Sequence, residues 1–377
     1  MKVVVAIDSF KGSLTSVQAG NAVKEAVLQV DPNANVVVRP LADGGEGTVD
    51  ALSALPSAEK IAVTVTGPLG TPVDAQYCII RNKNMAVIEM AAAAGLPLVP
   101  AQLRNPLNTT TYGVGELIKD AICRGCRDFL IGIGGSATND GGTGMLSALG
   151  YHFLDESGSP ISLGAQGLEN LHSIDDSQAL KELHACKFRV ACDVNNPLCG
   201  NNGCSAVFAP QKGGTPEMIA KMDSWLKNYA KLTKTVNAQA DENLPGAGAA
   251  GGLGFAFSAF LNASLEPGIS IVLDETNLED YIKDADVVVT GEGRLDAQTV
   301  MGKAPIGVAK LAKKYAKKVI AFSGCVADGA EICNEHGIDA FFPALRQVST
   351  LAEAMERDKA YKNLKDTAYQ VFRLLIL

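Results

Sequence analysis

The chain has 377 residues, 47% of them hydrophobic and 20% charged, with a formal net charge of -8. Its length exceeds the roughly 250–300 residues at which one core stops growing, so two domains are expected. The acidic balance argues against nucleic acid as a partner, because binders of that polyanion present a basic face, and no window approaches the ~18 uninterrupted apolar residues of a membrane span.

The N-terminal "MKVVVAIDSFKG" reads as a first strand, too short in its apolar run for a signal peptide. A cytoplasmic protein is therefore expected. The nine cysteines then read as buried free thiols, and the Cys123/Cys126 pair lacks the second ligand pair that a zinc site needs. After the strand, "SVQAGNAVKEAVLQV" spaces Val17, Ala22, Val23, Ala26 and Val30 as one helix face, with Thr15 or Ser16 as its cap. "NVVVRPLADGGEGTVDALSAL" repeats the same grammar of apolar run, glycine-rich or acidic turn, and helix.

From "IAVTVTGPLGTPVDAQYCII" to "NMAVIEMAAAAG" the pattern changes to alternation with Gly-Pro turns, which predicts a mixed or antiparallel section. "DFLIGIGGS" returns to strand then glycine turn. "PEMIAKMDSWLKNYAKLT" is an amphipathic helix that places Trp225 in the core. "PGAGAAGGLG" matches G-x-G-x-x-G at Gly246, Gly248 and Gly251, but it follows no strand and reads as a tight loop opening a small-residue helix. "ADVVVTGEGRLD", a helix and "KVIAFSG" complete the series, with "KLAKKYAKK" as a solvated face. Continuous Val/Ile strands are the mark of parallel sheets covered on both faces. The fold class is α/β: one doubly wound open parallel sheet built from both chain ends, residues 1–64 and 285–377, and a second α/β domain, 65–284, inserted between them.

Ligands of such sheets lie at the carboxyl ends of the strands. The polar residues there form one chemical set: Asp8, Ser9, Lys11 and Ser13; Asp43, Glu46 and Thr48; Ser136, Thr138, Asn139 and Asp140; Asp193 and Asn196; Lys212; Glu292, Arg294, Asp296 and Thr299. Carboxylates, hydroxyls, glycine amides and a few cations, almost without histidine, suit phosphoryl transfer. Glycine amides cradle phosphate oxygens, carboxylates hold Mg²⁺, and one aspartate can orient the accepting hydroxyl. A Walker A motif is absent; Gly302 and Lys303 come nearest, but Ala304 follows them. "GIGGSA" rivals this reading as a dinucleotide turn, with Asp155 as the ribose acid. Against that rival, "TNDG" separates the glycines from the helix and sets a carboxylate where a pyrophosphate would lie.

"DSFKGSL", "ADGGEGTVDAL", "VIEMAAAAGL", "NPLNTTTYGVGELI", "GIGGSATNDGGTGM", "ACDVNNPLCG", "FAPQKG" and "TGEGRLDAQTVMGKAP" occur in order, and with them the chain resembles the type I bacterial glycerate kinase family from Met1 to about Gly337. It departs at Ile7, where the family commonly has proline. The resemblance implies a flavodoxin-like part, an active site in the cleft between two domains, and an ATP-dependent, Mg²⁺-requiring kinase of D-glycerate in organic-acid catabolism, with the 2-phospho product favoured. On that footing Asp193 or Asp296 is expected to activate the glycerate hydroxyl. Asp8, Ser9, Lys11, Arg294 and Lys212 are expected at the substrate, and Asp43, Glu46 and Glu292 at Mg²⁺. Gly134, Gly135, Ser136, Thr138, Asn139, Asp140 and Gly141 are expected at ATP, with Asp140 open between touching a ligand and bracing its turn. Small molecules are the expected partners, with no nucleic acid or membrane, and an oligomer is compatible. An NAD(P)-dependent oxidoreductase of a small hydroxy acid and a non-catalytic nucleotide or sugar-acid binding protein are the alternatives.

Overall fold

The structure is a computed structural model that describes residues 1–376. Its strands, in chain order, are β1 (Lys2–Val5), β2 (Asn35–Val38), β3 (Ala58–Thr66), β4 (Pro72–Ile80), β5 (Met85–Glu89), β6 (Asp128–Gly132), β7 (His152–Leu154), β8 (Ser173–Asp175), β9 (Lys187–Ala191), β10 (Ser264–Glu266), β11 (Val287–Leu295), β12 (Lys318–Val326) and β13 (Ala340–Pro343). They fall into two compact units. The first comprises Met1–Asp43, Asp50–Pro56 and the chain from Ile269 onward; the second comprises Gly44–Val49 and Ser57–Gly268. The divisions differ from the expected 64/65 and 284/285 for packing reasons. β3 pairs along its whole length with β4, which draws residues from 58 into the second unit. Ile269, Val272, Leu278 and Ile282 share a core with Val4 and Val288, which draws 269–284 into the first.

The first unit is a parallel sheet in the order β13-β12-β11-β1-β2. Alternate residues of β1 serve opposite faces, as the pleat requires. Val3 and Val5 pack with Ala19, Ala22 and Val23 of the helix Ser16–Val30 and with Leu364 and Phe372 of the helix Arg357–Ile376. Val4 packs with Ile306, Val308 and Ala309 of the helix Ala304–Lys313. Of the two candidate caps, Thr15 closes a capping box with Gln18. The Ser16 hydroxyl instead donates to the Ile7 carbonyl (2.6 Å) and accepts from the Leu41 amide (2.8 Å), tying the exits of β1 and β2 together. Because β2 lies on one side of β1 and β11 on the other, the crevice of this sheet is the β1/β11 switch point.

The second unit holds a six-stranded sheet in the order β10-β9-β6-β5-β4-β3. β3, β4 and β5 are antiparallel and the remainder parallel, which is the mixed section that alternation and Gly-Pro turns predict. β7 and β8 form a separate antiparallel pair. Phe129 stacks on Phe188 at 4.7 Å between ring centroids, in a core shared with Tyr229, Phe255 and Phe257. Trp225 is partly buried against it. The helix Ala249–Leu261 opens on three residues with positive φ, Ala250 to Gly252.

Gly251 (φ +69°) shows why this loop is small: a Cβ there would stand 2.1 Å from the Thr138 carbonyl oxygen. Gly251→Ala is therefore expected to destabilise the second unit by about 2–4 kcal/mol, read by urea unfolding. Among the described residues no helix is long and apolar enough to cross a membrane.

Candidate functional site

In the first unit the exits of β1, β2 and β11 surround a cavity of about 640 Å³. Asp8, Ser9, Lys11, Asp43, Glu292, Arg294, Asp296 and Lys303 line it. Each arrives by a short route from the sheet. The Asp8 amide continues the parallel ladder by donating to the Gly291 carbonyl (2.9 Å), which fixes Asp8 beside the start of "EGRLD" at the switch point. The chain then folds back over Phe10–Leu14, where Gly12 has φ +78° and Lys11 is presented toward Asp43 (Nζ to Oδ2, 3.2 Å). Lys303 precedes the first turn of the helix Ala304–Lys313, and its ammonium lies 3.7 Å from Glu292 and 3.6 Å from Asp296. Arg294 reaches Asp296 at 3.4 Å.

Four carboxylates face three cations here, and burial shifts two of the carboxylates. Asp8 is only 4% exposed. Burial, followed by the charge of Asp43, pushes its carboxyl up to about 7 against the opposing pull of the Ser9 amide and Lys11. Glu292 is also raised by burial, opposed by a hydrogen bond from the Thr299 hydroxyl (2.8 Å) and by Lys303. The Asp296 carboxylate accepts from the Gln298 amide (3.0 Å), which sets its orientation toward the two cations. The result is a proton acceptor that titrates near neutrality, set among fixed charges of both signs. That is the equipment for moving a proton from a hydroxyl while anionic oxygens are held nearby.

The second unit supplies a different structure at "GIGGSATNDGG". Only Gly134 and Gly135 of this loop are exposed, at the exit of β6. From Ser136 to Gly141 the chain turns inward. Asp140 is fully buried: its Oδ2 accepts from the Thr111 amide and hydroxyl (2.8 Å each), and its Oδ1 accepts from the Gly142 amide (3.2 Å). The Gly144 amide adds a further hydrogen bond. Asn139 donates to the Ser205 hydroxyl (2.9 Å), and Lys212, 2% exposed, donates to the Ser136 hydroxyl and the Thr138 carbonyl (2.7 Å each).

Burial gives most of these expected site residues partners within their own unit. Of the residues expected at ATP, Ser136 bonds Lys212, itself expected at the substrate, Asn139 bonds Ser205 and Asp140 bonds Thr111 and Gly142, while the Thr138 hydroxyl and Asn139 Oδ1 are buried with no partner among the described residues; Gly134 and Gly135 are the exposed residues of this loop. Asp193 is exposed in the second unit, where its carboxylate accepts from the Gly268 amide (3.0 Å), and Glu46 is exposed on the Gly44–Val49 segment. Neither lines the cavity, whereas Asp8, Ser9, Lys11, Asp43, Glu292, Arg294 and Asp296 do. Sequence reasoning missed three features. Lys303 reads in the sequence only as part of an incomplete Walker A pattern. The Glu89 carboxylate, within "VIEMAAAAGL", receives the Val49 amide (2.7 Å) and so anchors "GGEGT" to its unit. A further cavity wall comes from Ala344, Leu345, Leu351, Ala354 and Met355, in the stretch least marked by motifs.

Burial lowers the Lys212 ammonium from 10.5 to about 8, with Cys204 and Asp140 opposing. Between those values the unfolded chain keeps a proton that the folded chain has released, so this group's contribution to stability rises with pH. Lys212→Met is expected to flatten that rise, by about 2 kcal/mol between pH 7.5 and 10. The check is the wild-type minus variant difference in urea unfolding at the two pH values, in which the other titrating groups cancel.

A profile described as "Glycerate kinase family" matches residues 3–376. A protein named glycerate kinase from Haemophilus influenzae is 48% identical over 375 residues, covering 100% of this chain and 99% of the relative. One named glycerate 2-kinase from Escherichia coli K12 is 48% identical over 364 residues, covering 97% and 95%. A crystal structure from Salmonella typhimurium LT2, described as a glycerate kinase 2, superposes with a TM-score of 0.91 at 47% identity, covering 100% of this chain and 98% of the other.

Proposed function

The chain belongs to the glycerate kinase family, and from that premise we propose that it transfers the γ-phosphoryl group of ATP to a hydroxyl of D-glycerate, giving 2-phosphoglycerate, as a cytoplasmic enzyme of organic-acid catabolism. The observation that carries this reading is the first unit's cavity, where a carboxyl titrating at about 7 sits among three further carboxylates and three cations. Asp8 accepts the proton of the glycerate hydroxyl. Its buried position at the switch point and its raised affinity for a proton place its titration at the working pH, which is where a general base is most effective. Arg294 grips the glycerate carboxylate with its planar fork, and Lys11 and Lys303 offset charge on the oxygens of the transferring group. Asp296 holds Arg294 and Lys303 in register, a positioning role in place of the base role expected for it. The amides of Gly134 and Gly135 are the part of their loop open to an anion.

Among the described residues no group of three His, Cys, Asp or Glu side chains forms a ready metal cage. Mg²⁺ is commonly held by one or two carboxylates together with substrate phosphates. Asp43 and Glu292 are the residues that would hold it, since both carboxylates line the cavity together with Asp8. When bound, the ion neutralises charge on the phosphate oxygens. The name of the Escherichia coli relative supports transfer to the 2-hydroxyl.

The test is ADP formation from MgATP on adding D-glycerate, run beside NAD(P)H absorbance with the same substrate. Phosphorus NMR of the product separates the 2-phospho from the 3-phospho ester. Reduced nicotinamide without ADP overturns the proposal, and a 3-phospho product overturns its regiochemistry.

A further inference from the structure

The cavity's lining has two chemically distinct sources. The strand exits supply charge, whereas the segment from Ala344 to Met355 supplies aliphatic surface at Leu345, Leu351, Ala354 and Met355. Leu351 is 76% exposed, and Leu345 and Met355 are 38% and 36% exposed, so this wall presents apolar area with no protein covering it. Two hydroxyls in the same lining, Ser13 Oγ and Ser349 Oγ, are buried and have no hydrogen-bond partner among the described residues. A buried hydroxyl without a partner costs about 1–3 kcal/mol, and both serines belong to the cavity lining, so a ligand seated there could satisfy them after a side-chain rotation. The volume of about 640 Å³ lies within the ~300–1,000 Å³ that takes a drug-sized organic molecule. A three-carbon acid leaves most of it unfilled.

We propose that this wall is the nucleoside site of the phosphoryl donor. The base lies against Leu345, Leu351, Ala354 and Met355, and the Ser13 and Ser349 hydroxyls bond to the ribose or the base edge. The inference rests on the reading of the charged lining as the place of phosphoryl transfer. A flat heteroaromatic ring fits a wall of this kind because both of its faces are apolar and a methionine thioether makes favourable contacts with aromatic rings. Its polar edge meets the two hydroxyls, each of which can donate or accept. The triphosphate then continues toward Lys11, Lys303 and the carboxylates.

The experiment uses the full chain with Leu351→Asn and Ser349→Ala, each checked for a wild-type melting temperature. ADP binding is measured by titration calorimetry, and KM for ATP and for D-glycerate by ADP release. Both variants are expected to raise the ADP Kd and the KM for ATP about tenfold, with KM for D-glycerate and kcat at saturating ATP within twofold of wild type. An unchanged ADP Kd in both variants, or a rise confined to the KM for D-glycerate, overturns the assignment. The arms separate two failures: an enzyme that makes no ADP from ATP and D-glycerate refutes the kinase reading, while the calorimetry still reports on the nucleoside site.

Discussion

Asp8→Asn is expected to lower kcat of the kinase by about 10²–10⁴-fold, the usual contribution of a positioned general base, and to make the folded protein more stable at pH 8. Both effects have one origin. The carboxyl is buried in the first unit and pressed by the charge of Asp43, so its pKa stands at about 7 where an unperturbed aspartate has 3.8. Between those values the folded chain holds a proton that the unfolded chain has lost, and stability falls as pH rises through the window. Above pH 7 the folded protein carries the full cost of an ionised Asp8. Asparagine keeps the shape and the acceptor for the Ser9 amide but carries no charge. The variant should therefore match wild type in urea unfolding at pH 4 and exceed it by about 2–4 kcal/mol at pH 8. The wild-type rise of kcat/KM with pH should disappear in the variant, and in wild type Mg²⁺ on Asp43 and Glu292 should move that rise below the metal-free value of about 7. Turnover within threefold of wild type would remove Asp8 from the base role. An equal stability gain at both pH values would remove ionisation as its cause.

The acid-rich strand exits were legible in the sequence because they rest on local rules. An apolar run followed by "IDSFKGS" or "TGEGRLD" specifies a buried parallel strand and the polar residues at its carboxyl end, and the fold brings Asp8 and Glu292 to one switch point. The direction of a side chain within a loop is not local. "GGSATNDGG" reads as a solvent-facing phosphate loop, but Gly251 of a helix about 110 residues later abuts the Thr138 carbonyl, and Lys212 reaches in from a third segment. Those contacts turn Thr138, Asn139 and Asp140 inward, and nothing in the nearest residues announces them. The aliphatic wall at Leu345–Met355 was illegible for a related reason. A few apolar residues in a polar stretch look like ordinary surface until the fold sets them beside the carboxylates. Lys303 marks the limit of motif reasoning: judged against a phosphate-loop pattern it fails, although an ammonium ahead of a helix N-terminus places charge at the cavity without that loop.

Asp140→Ala is expected to lower the stability of the folded chain by about 3–5 kcal/mol, the largest loss predicted for any single substitution considered. The carboxylate is the common acceptor for the Thr111 amide, the Thr111 hydroxyl and the Gly142 and Gly144 amides, all inside the second unit. Removing it leaves four donors facing a small cavity. Asp140 also opposes the lowering of the Lys212 ammonium by burial, so the Lys212 pKa should fall further in the variant. The two changes must then be non-additive: with the Asp140 charge gone, Lys212→Met removes a buried cation that has lost an opposing charge, and the double variant should recover part of the loss. Asp140→Asn keeps the shape and one acceptor but turns an NH₂ group toward donors, so an intermediate loss is expected. That variant also separates bracing from ligand contact. If the residue only braces the turn, Asp140→Asn measured well below its melting temperature keeps a KM for ATP within threefold of wild type, while its unfolding midpoint drops. A KM raised tenfold or more at unchanged stability would instead put the Asp140 carboxylate on the ligand and make its four donors secondary.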